Sequence, residues 1–310
     1  MIENKLSIEE SNTIWRLKAI AVFTIFFAHL PYRGESVVML YLFNYLGILG
    51  VPIFLMLSGY FESFSTSSTI SKMKSLFIPL IIWGTFGYIP SIIFENLSLR
   101  EGVIGYVKFL YGCGTWLYFV PVLFWCRTIC TFKIHNTYIY IILASLSCLS
   151  IILTSLGLIN YNEYFTRYTN PFNFLVYYIL GIIISKFNFS FKAGYLVLIS
   201  TIVIVSIILL WNNLPSYFSI FCIPFSISSF ILLYNVARIM RKGENIGKMS
   251  YVIYLSHMIP MGIISSKIPF MWGTPWQVIN VLLIFIIIVV GLWSLGFVLN
   301  KIKHSSYFVI

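Results

Sequence analysis

The chain has 310 residues, 59% of them hydrophobic and only 9% charged, with a mean hydropathy of +0.93. That composition excludes a soluble globular domain and identifies an integral membrane protein. The formal charge of +11 does not point to nucleic acid, because the basic residues are dispersed over loops of one membrane face and no soluble domain carries them. Anionic lipid and a phosphorylated cytosolic ligand account for them better.

Residues 1–13 contain Glu3, Glu9 and Glu10 and are too polar and acidic to begin a cleaved signal, so they are read as a cytoplasmic N-terminal segment. Apolar stretches then follow at 14–31, 41–61, 75–94, 116–133, 137–158, 172–185, 193–211, 217–236, 249–266 and 276–299. They predict an all-α polytopic transmembrane helical bundle of about ten spans, forming one integral domain over 14–299, with 300–310 as a cytoplasmic tail. With both ends inside, fifteen lysines and arginines lie on the cytoplasmic side and only Arg33, Arg100, Lys108, Arg167 and Lys267 outside. This bias agrees with the positive-inside rule and with residence in a bacterial inner membrane.

In the first stretch Lys18 and His29 are eleven residues apart, about three helical turns and roughly 16 Å along one face. Arg16 points elsewhere and reads as a headgroup anchor. An imidazole just inside the outer boundary is costly to bury and suits a general base acting on a hydroxyl. The bland alternative is a histidine snorkelling beside Pro31 and Tyr32. Glu35, six residues further on, fits an orienting or sugar-binding acid, or a solvated loop residue.

Gly47, Gly50, Pro52, Ser58 and Gly59 in the second stretch allow tight packing or a local break. Lys72 and Lys74 open the third and, with Lys18, can neutralise nucleotide phosphates; ordinary positive-inside bias explains either one equally well. The connection 95–115 is rich in glycine and holds Glu95, Arg100, Glu101 and Lys108, consistent with a short interfacial helix. Cys113, Cys126, Cys130, Cys148 and Cys222 give no disulfide framework and no metal-ligand spacing, and aspartate is absent from the chain, so no metal is expected. His257 falls near mid-depth of the stretch 249–266, where it is either functional or a helix-to-helix hydrogen-bonding residue. His135 and His304 lie in loops.

Several of these strings together resemble the integral-membrane acyltransferase-3 family. They are Lys18 to His29, then Gly50-Val51-Pro52-Ile53-Phe54-Leu55-Met56-Leu57-Ser58-Gly59-Tyr60, and Lys72, Lys74 and Pro79. Thr115-Trp116-Leu117-Tyr118-Phe119 and the run from Ile246-Gly247-Lys248-Met249-Ser250 to Tyr254-Leu255-Ser256-His257 complete the set. The resemblance implies transfer of an acetyl group from acetyl-CoA to a sugar hydroxyl of a surface polysaccharide or lipid-linked glycan. It implies His29 as the catalytic residue, Lys18, Lys72 and Lys74 as donor-binding residues, and Glu35, His257, Trp116 and Tyr118 as orienting or acceptor-binding residues. Lysine stands at position 18 where the family more often has arginine, which keeps the charge and loses the bidentate fork. A transporter or export protein for extracellular polysaccharide is the alternative.

Overall fold

The computed structural model describes residues 7–62, 64, 69–94, 98–131, 137–185, 198–202, 204, 205, 208, 216–267 and 272–299, and the regular elements among them are helical. In chain order they are α1 (Ile8–His29), α2 (Val37–Gly47), α3 (Gly50–Glu62), α4 (Thr69–Phe94), α5 (Leu99–Tyr111), α6 (Phe119–Thr131), α7 (Thr137–Ser155) and α8 (Leu175–Ile184). After these come α9 (Cys222–Ile239), α10 (Glu244–Ser256), α11 (Met258–Lys267) and α12 (Gln277–Leu299). Single 3₁₀ turns at Trp116–Tyr118 and Pro171–Asn173 lead into α6 and α8. His135, His304, Glu95, the tail 300–310 and most of the stretch 193–211 lie outside the described residues.

Five segments among the described residues are long and apolar enough to cross a bilayer: Val37–Glu62, Ser71–Ile93, Tyr138–Ser155, Cys222–Ile239 and Gln277–Leu295. A sixth arises if Leu99–Tyr111 and Trp116–Cys130, bent by 55°, count as one crossing. The protein is therefore a polytopic helical membrane protein. The other apolar stretches fall short for stated reasons. Arg16, Lys18 and His29 lower the mean hydropathy of α1, and the ten residues of α8 extend only about 15 Å. The stretch 249–266 is not one helix: it breaks at His257 into α10 and α11. Pro260 in the first turn of α11 has no N–H to give and clashes with the carbonyl four residues back, which explains the interruption.

α1 is packed against α2, α3, α9, α10 and α12. Its start is fixed by a capping box in which Ser7 accepts from the Glu10 N–H and the Glu10 carboxylate accepts from the Ser7 N–H. Along its length Ile14, Leu17, Ala21, Val22, Ile25 and Phe26 are all buried. By contrast Ile81, Phe86, Ile92, Ile141, Ile142, Ile286 and Val290 are exposed on α4, α7 and α12, the pattern of helices that face hydrocarbon.

Small residues set the closest approaches. The break between α2 and α3 lies against α1, with Gly47 on the backbone of Ala28 and Gly50 on Ile25 and the Ala21 carbonyl. The glycines thus supply both the break and the tight packing that the sequence allowed. Gly59 of α3 and Gly181 of α8 each rest on the other helix's backbone, at Tyr178 and Met56. Gly247 of α10 rests on the Trp15 carbonyl so closely that an added Cβ would lie 1.8 Å from its oxygen.

The connection 95–115 holds the expected short helix: α5 is capped at its start by Ser98 and Glu101 and ends on Gly112 in the left-handed region. Leu99, Val103, Ile104 and Val107 are exposed on it. All five cysteines are free; Cys126 and Cys130 are buried, in keeping with small hydrophobes.

Gly247→Ala is expected to force α10 away from α1 and to cost about 1–3 kcal/mol. Gly262→Ala in α11, where nothing lies within 4 Å of an added Cβ, should stabilise its helix slightly. Melting temperatures of the two variants in the same detergent check the contrast.

Candidate active site

Two imidazoles meet at the end of α1. The His29 and His257 rings are 4.9 Å apart between centroids and inclined by 52°. They come together because α1 ends at His29 and α10 stops one residue before His257, side by side. His257 is fully buried, and its ring also touches Phe26 at 5.6 Å. Phe26 in turn packs edge-on against Phe285 of α12. His29 is half-buried.

The two nitrogens of His257 differ. Nδ1 lies 2.6 Å from the Tyr254 carbonyl oxygen. Because a carbonyl only accepts, Nδ1 carries the proton and Nε2 keeps its lone pair. Nε2 is buried and has no hydrogen-bond partner among the described residues. The one hydrogen bond of the ring thus runs to the backbone of its own helix and not between helices.

Trp116 closes this junction from the side. Its indole Nε1–H donates to the Leu255 carbonyl at 3.2 Å, and the Tyr254 hydroxyl donates to the Trp116 carbonyl. Tyr118 turns away, its ring packed on Tyr168 and Phe174 at 5.2 and 6.0 Å. Gly112 makes that placement possible, since an added Cβ there would lie 2.2 Å from the Tyr118 Cα. Glu35 is exposed between α1 and α2, and no hydrogen bond or ion pair joins it to His29 among the described residues.

The segment after His29 is tied down by a residue that sequence reasoning passed over. Gln277, fully buried at the start of α12, donates from Nε2 to the Pro31 carbonyl at 2.8 Å. Its Oε1 accepts from the Arg33 and Gly273 N–H groups at 3.2 and 3.1 Å. A polar residue opening an apolar stretch was the only signal available.

Lys18 lies about midway along α1, about three turns before His29. Lys18 Nζ stands 4.3 Å from the Trp15 ring centroid and 4.8 Å from that of Phe61, a cation–π pair of contacts. The next residue, Glu62, takes Lys72 Nζ on Oε1 at 2.8 Å. Its Oε2 accepts from Arg127 Nε at 3.0 Å and from the Tyr178 hydroxyl at 3.3 Å. The last two residues of α3 thus hold both Lys18 and Lys72, while Lys74 is exposed outside this cluster. Glu62 was missed; an acid ending a long apolar run is itself the signal for it. Arg16, expected among headgroups, is instead paired with Glu244 of α10 at 2.5 Å, because its helix is enclosed by the bundle.

A family model described as an acyltransferase domain, that of the acyltransferase-3 family, matches residues 14–294. The chain belongs to this acyltransferase family. No curated protein and no solved structure matches it significantly. Membership of the acyltransferase-3 family supports an acyltransferase-type enzymatic role in the membrane. Both the histidine pair and the lysine cluster fall inside the matched region. Among the described residues no group of three or more His, Cys, Asp or Glu is placed to hold a metal ion.

Replacing Glu62 with alanine leaves Lys72 and Arg127 side by side without their shared carboxylate. With side chains only 11–18% exposed, the loss should be about 2–3 kcal/mol. Glu163→Ala, which breaks the surface pair with Lys108, should leave the melting temperature unchanged. Thermal unfolding of both variants tests the difference.

Proposed function

We propose that the protein transfers an acetyl group from acetyl-CoA to a sugar hydroxyl of a cell-surface polysaccharide or lipid-linked glycan, with His29 as general base. The observation that carries this reading is α1 itself: it ends in a half-buried imidazole, and about 16 Å back along it, at mid-helix, Lys18 presents an ammonium group. That separation suits a donor whose phosphates stay with basic side chains while its long thioester arm reaches inward. Lys18, Lys72 and Lys74 are assigned to the donor. Lys72 reaches it from the Glu62 pair, and Lys18 from between two aromatic rings.

In the reaction the acceptor oxygen attacks the thioester carbonyl carbon as His29 removes the hydroxyl proton. The new C–O bond forms, the C–S bond breaks, and the proton passes from His29 to the departing thiolate. An alcohol is a poor nucleophile until its proton leaves with the attack, which is why a neutral imidazole within reach matters. Trp116 and Tyr118 are assigned to the acceptor side, and Glu35 to the sugar hydroxyls at the outer surface.

The topology that fits is about ten spans in a bacterial inner membrane, with residues 1–13 and 300–310 cytoplasmic and 14–299 forming the membrane domain. His29 then opens outward and the lysines inward, and anionic lipids border the basic face. Single cysteines at Arg33 and Lys267 should react with an impermeant maleimide added outside intact cells. Labelling only after lysis would invert the orientation.

His29→Ala should fold and retain donor affinity yet lose about 100-fold or more in turnover. His29→Gln should fare no better, because an amide hydrogen-bonds but does not cycle a proton at neutral pH. The Lys18→Ala, Lys72→Ala, Lys74→Ala triple variant should raise the KM for acetyl-CoA at low salt with a smaller change in kcat. Glycan acetylation, measured by mass spectrometry of cells expressing each variant, separates these outcomes. Normal acetylation with His29→Gln would remove the general-base assignment and favour the export alternative.

A further inference from the structure

Resting on the assignment of His29 as base, we propose that His257 is a positioning residue for it: His257 Nε2 accepts a hydrogen bond from a ring N–H of His29 during turnover and so fixes which His29 nitrogen faces the acceptor hydroxyl.

His257 Nδ1–H donates to the Tyr254 carbonyl, so Nε2 is an acceptor by elimination, and it lies buried without a partner among the described residues. An unsatisfied buried acceptor is expensive, and a fold retains one where something comes to fill it. The surroundings narrow the choice of donor. Phe26 offers only an apolar ring face, the Tyr254 hydroxyl is spent on the Trp116 carbonyl, and Trp116 Nε1 is spent on the Leu255 carbonyl. His29 remains, 4.9 Å away between ring centroids, and a modest rotation of its half-buried side chain closes the gap.

The backbone makes His257 the rigid member of the pair. It sits at the break between α10 and α11, with its own N–H bonded to the Ile253 carbonyl and its carbonyl accepting from the Met261 N–H. Its ring is further pinned through Nδ1. A fixed acceptor beside a mobile imidazole selects one tautomer of the latter: the nitrogen facing His257 carries the proton, and the other presents its lone pair. That nitrogen takes the acceptor proton in the step described above. The resulting imidazolium keeps its hydrogen bond to His257 while it waits to protonate the thiolate. No bond is made to His257 and no proton leaves it.

The test uses the full-length protein in membranes, with radiolabelled acetyl-CoA as probe and acetyl incorporation into the membrane and glycan fraction as readout. His257→Phe should lower kcat by about 10- to 100-fold with the KM for acetyl-CoA unchanged. His257→Gln, whose amide oxygen can accept the same hydrogen bond, should recover most of that loss. In a His29→Ala background, His257→Phe should have no further effect, since it acts only through His29. Size-exclusion profiles and melting temperatures establish that each variant is folded. If glutamine is as impaired as phenylalanine, or if the two losses multiply in the double variant, the positioning role is overturned. A protein that transfers acetyl normally with His29→Ala but not with His257→Phe would overturn it differently, by making His257 the base. A parent that incorporates nothing from acetyl-CoA would bring down the underlying reaction, and this inference with it.

Discussion

A helix that carries Arg16, Lys18 and His29 cannot face hydrocarbon, and the need to enclose it organises the rest of the molecule. Exposing any of these side chains to lipid would cost several kcal/mol. α2, α3, α9, α10 and α12 pack against α1, and α12 turns exposed apolar side chains outward. Enclosure also demands short interaxial distances, which only small residues permit; Gly47, Gly50 and Gly247 let three neighbouring segments lie on the α1 backbone. The glycines that look like packing devices therefore serve the polar residues of α1 directly.

Charge follows the same logic. The chain has only nine acidic residues, all glutamate. Two of them are placed where α1 and its neighbours need countercharges, Glu244 on Arg16 and Glu62 on Lys72 and Arg127. One carboxylate shared by two cations leaves the cluster net positive. That residual charge, beside Lys18 and away from the imidazoles, is what the proposed donor site draws on.

What the sequence reveals here is whatever is periodic or local. The all-α class, the Lys18-to-His29 spacing on one helix, the glycine-flanked break before α3 and the short helix α5 all follow from residues near one another in the chain. Relations between distant residues were not legible. Glu62 finds Lys72 on α4, Arg127 on α6 and Tyr178 on α8, and nothing in the sequence pairs these positions. Arg16 looked like a headgroup anchor because its helix gives no sign of how deeply it is enclosed. Crossing number was hard to read for a related reason: hydropathy rewards helices that touch lipid, whereas α1 and α8 are inner helices whose polarity or brevity is sheltered by neighbours. The break at His257 was written in Pro260 and went unread because the flanking residues continue the apolar run.

The three hydrogen bonds of Gln277 have a mechanical consequence. They join the strip Pro31–Arg33, directly after His29, to the strip that includes Gly273, and the Tyr32 hydroxyl adds a fourth link through the Gly273 carbonyl. At about 1 kcal/mol for each bond, parting the two strips is costly, so the backbone that follows His29 is anchored to the start of α12 and the end of α1 is held in place from outside the helix.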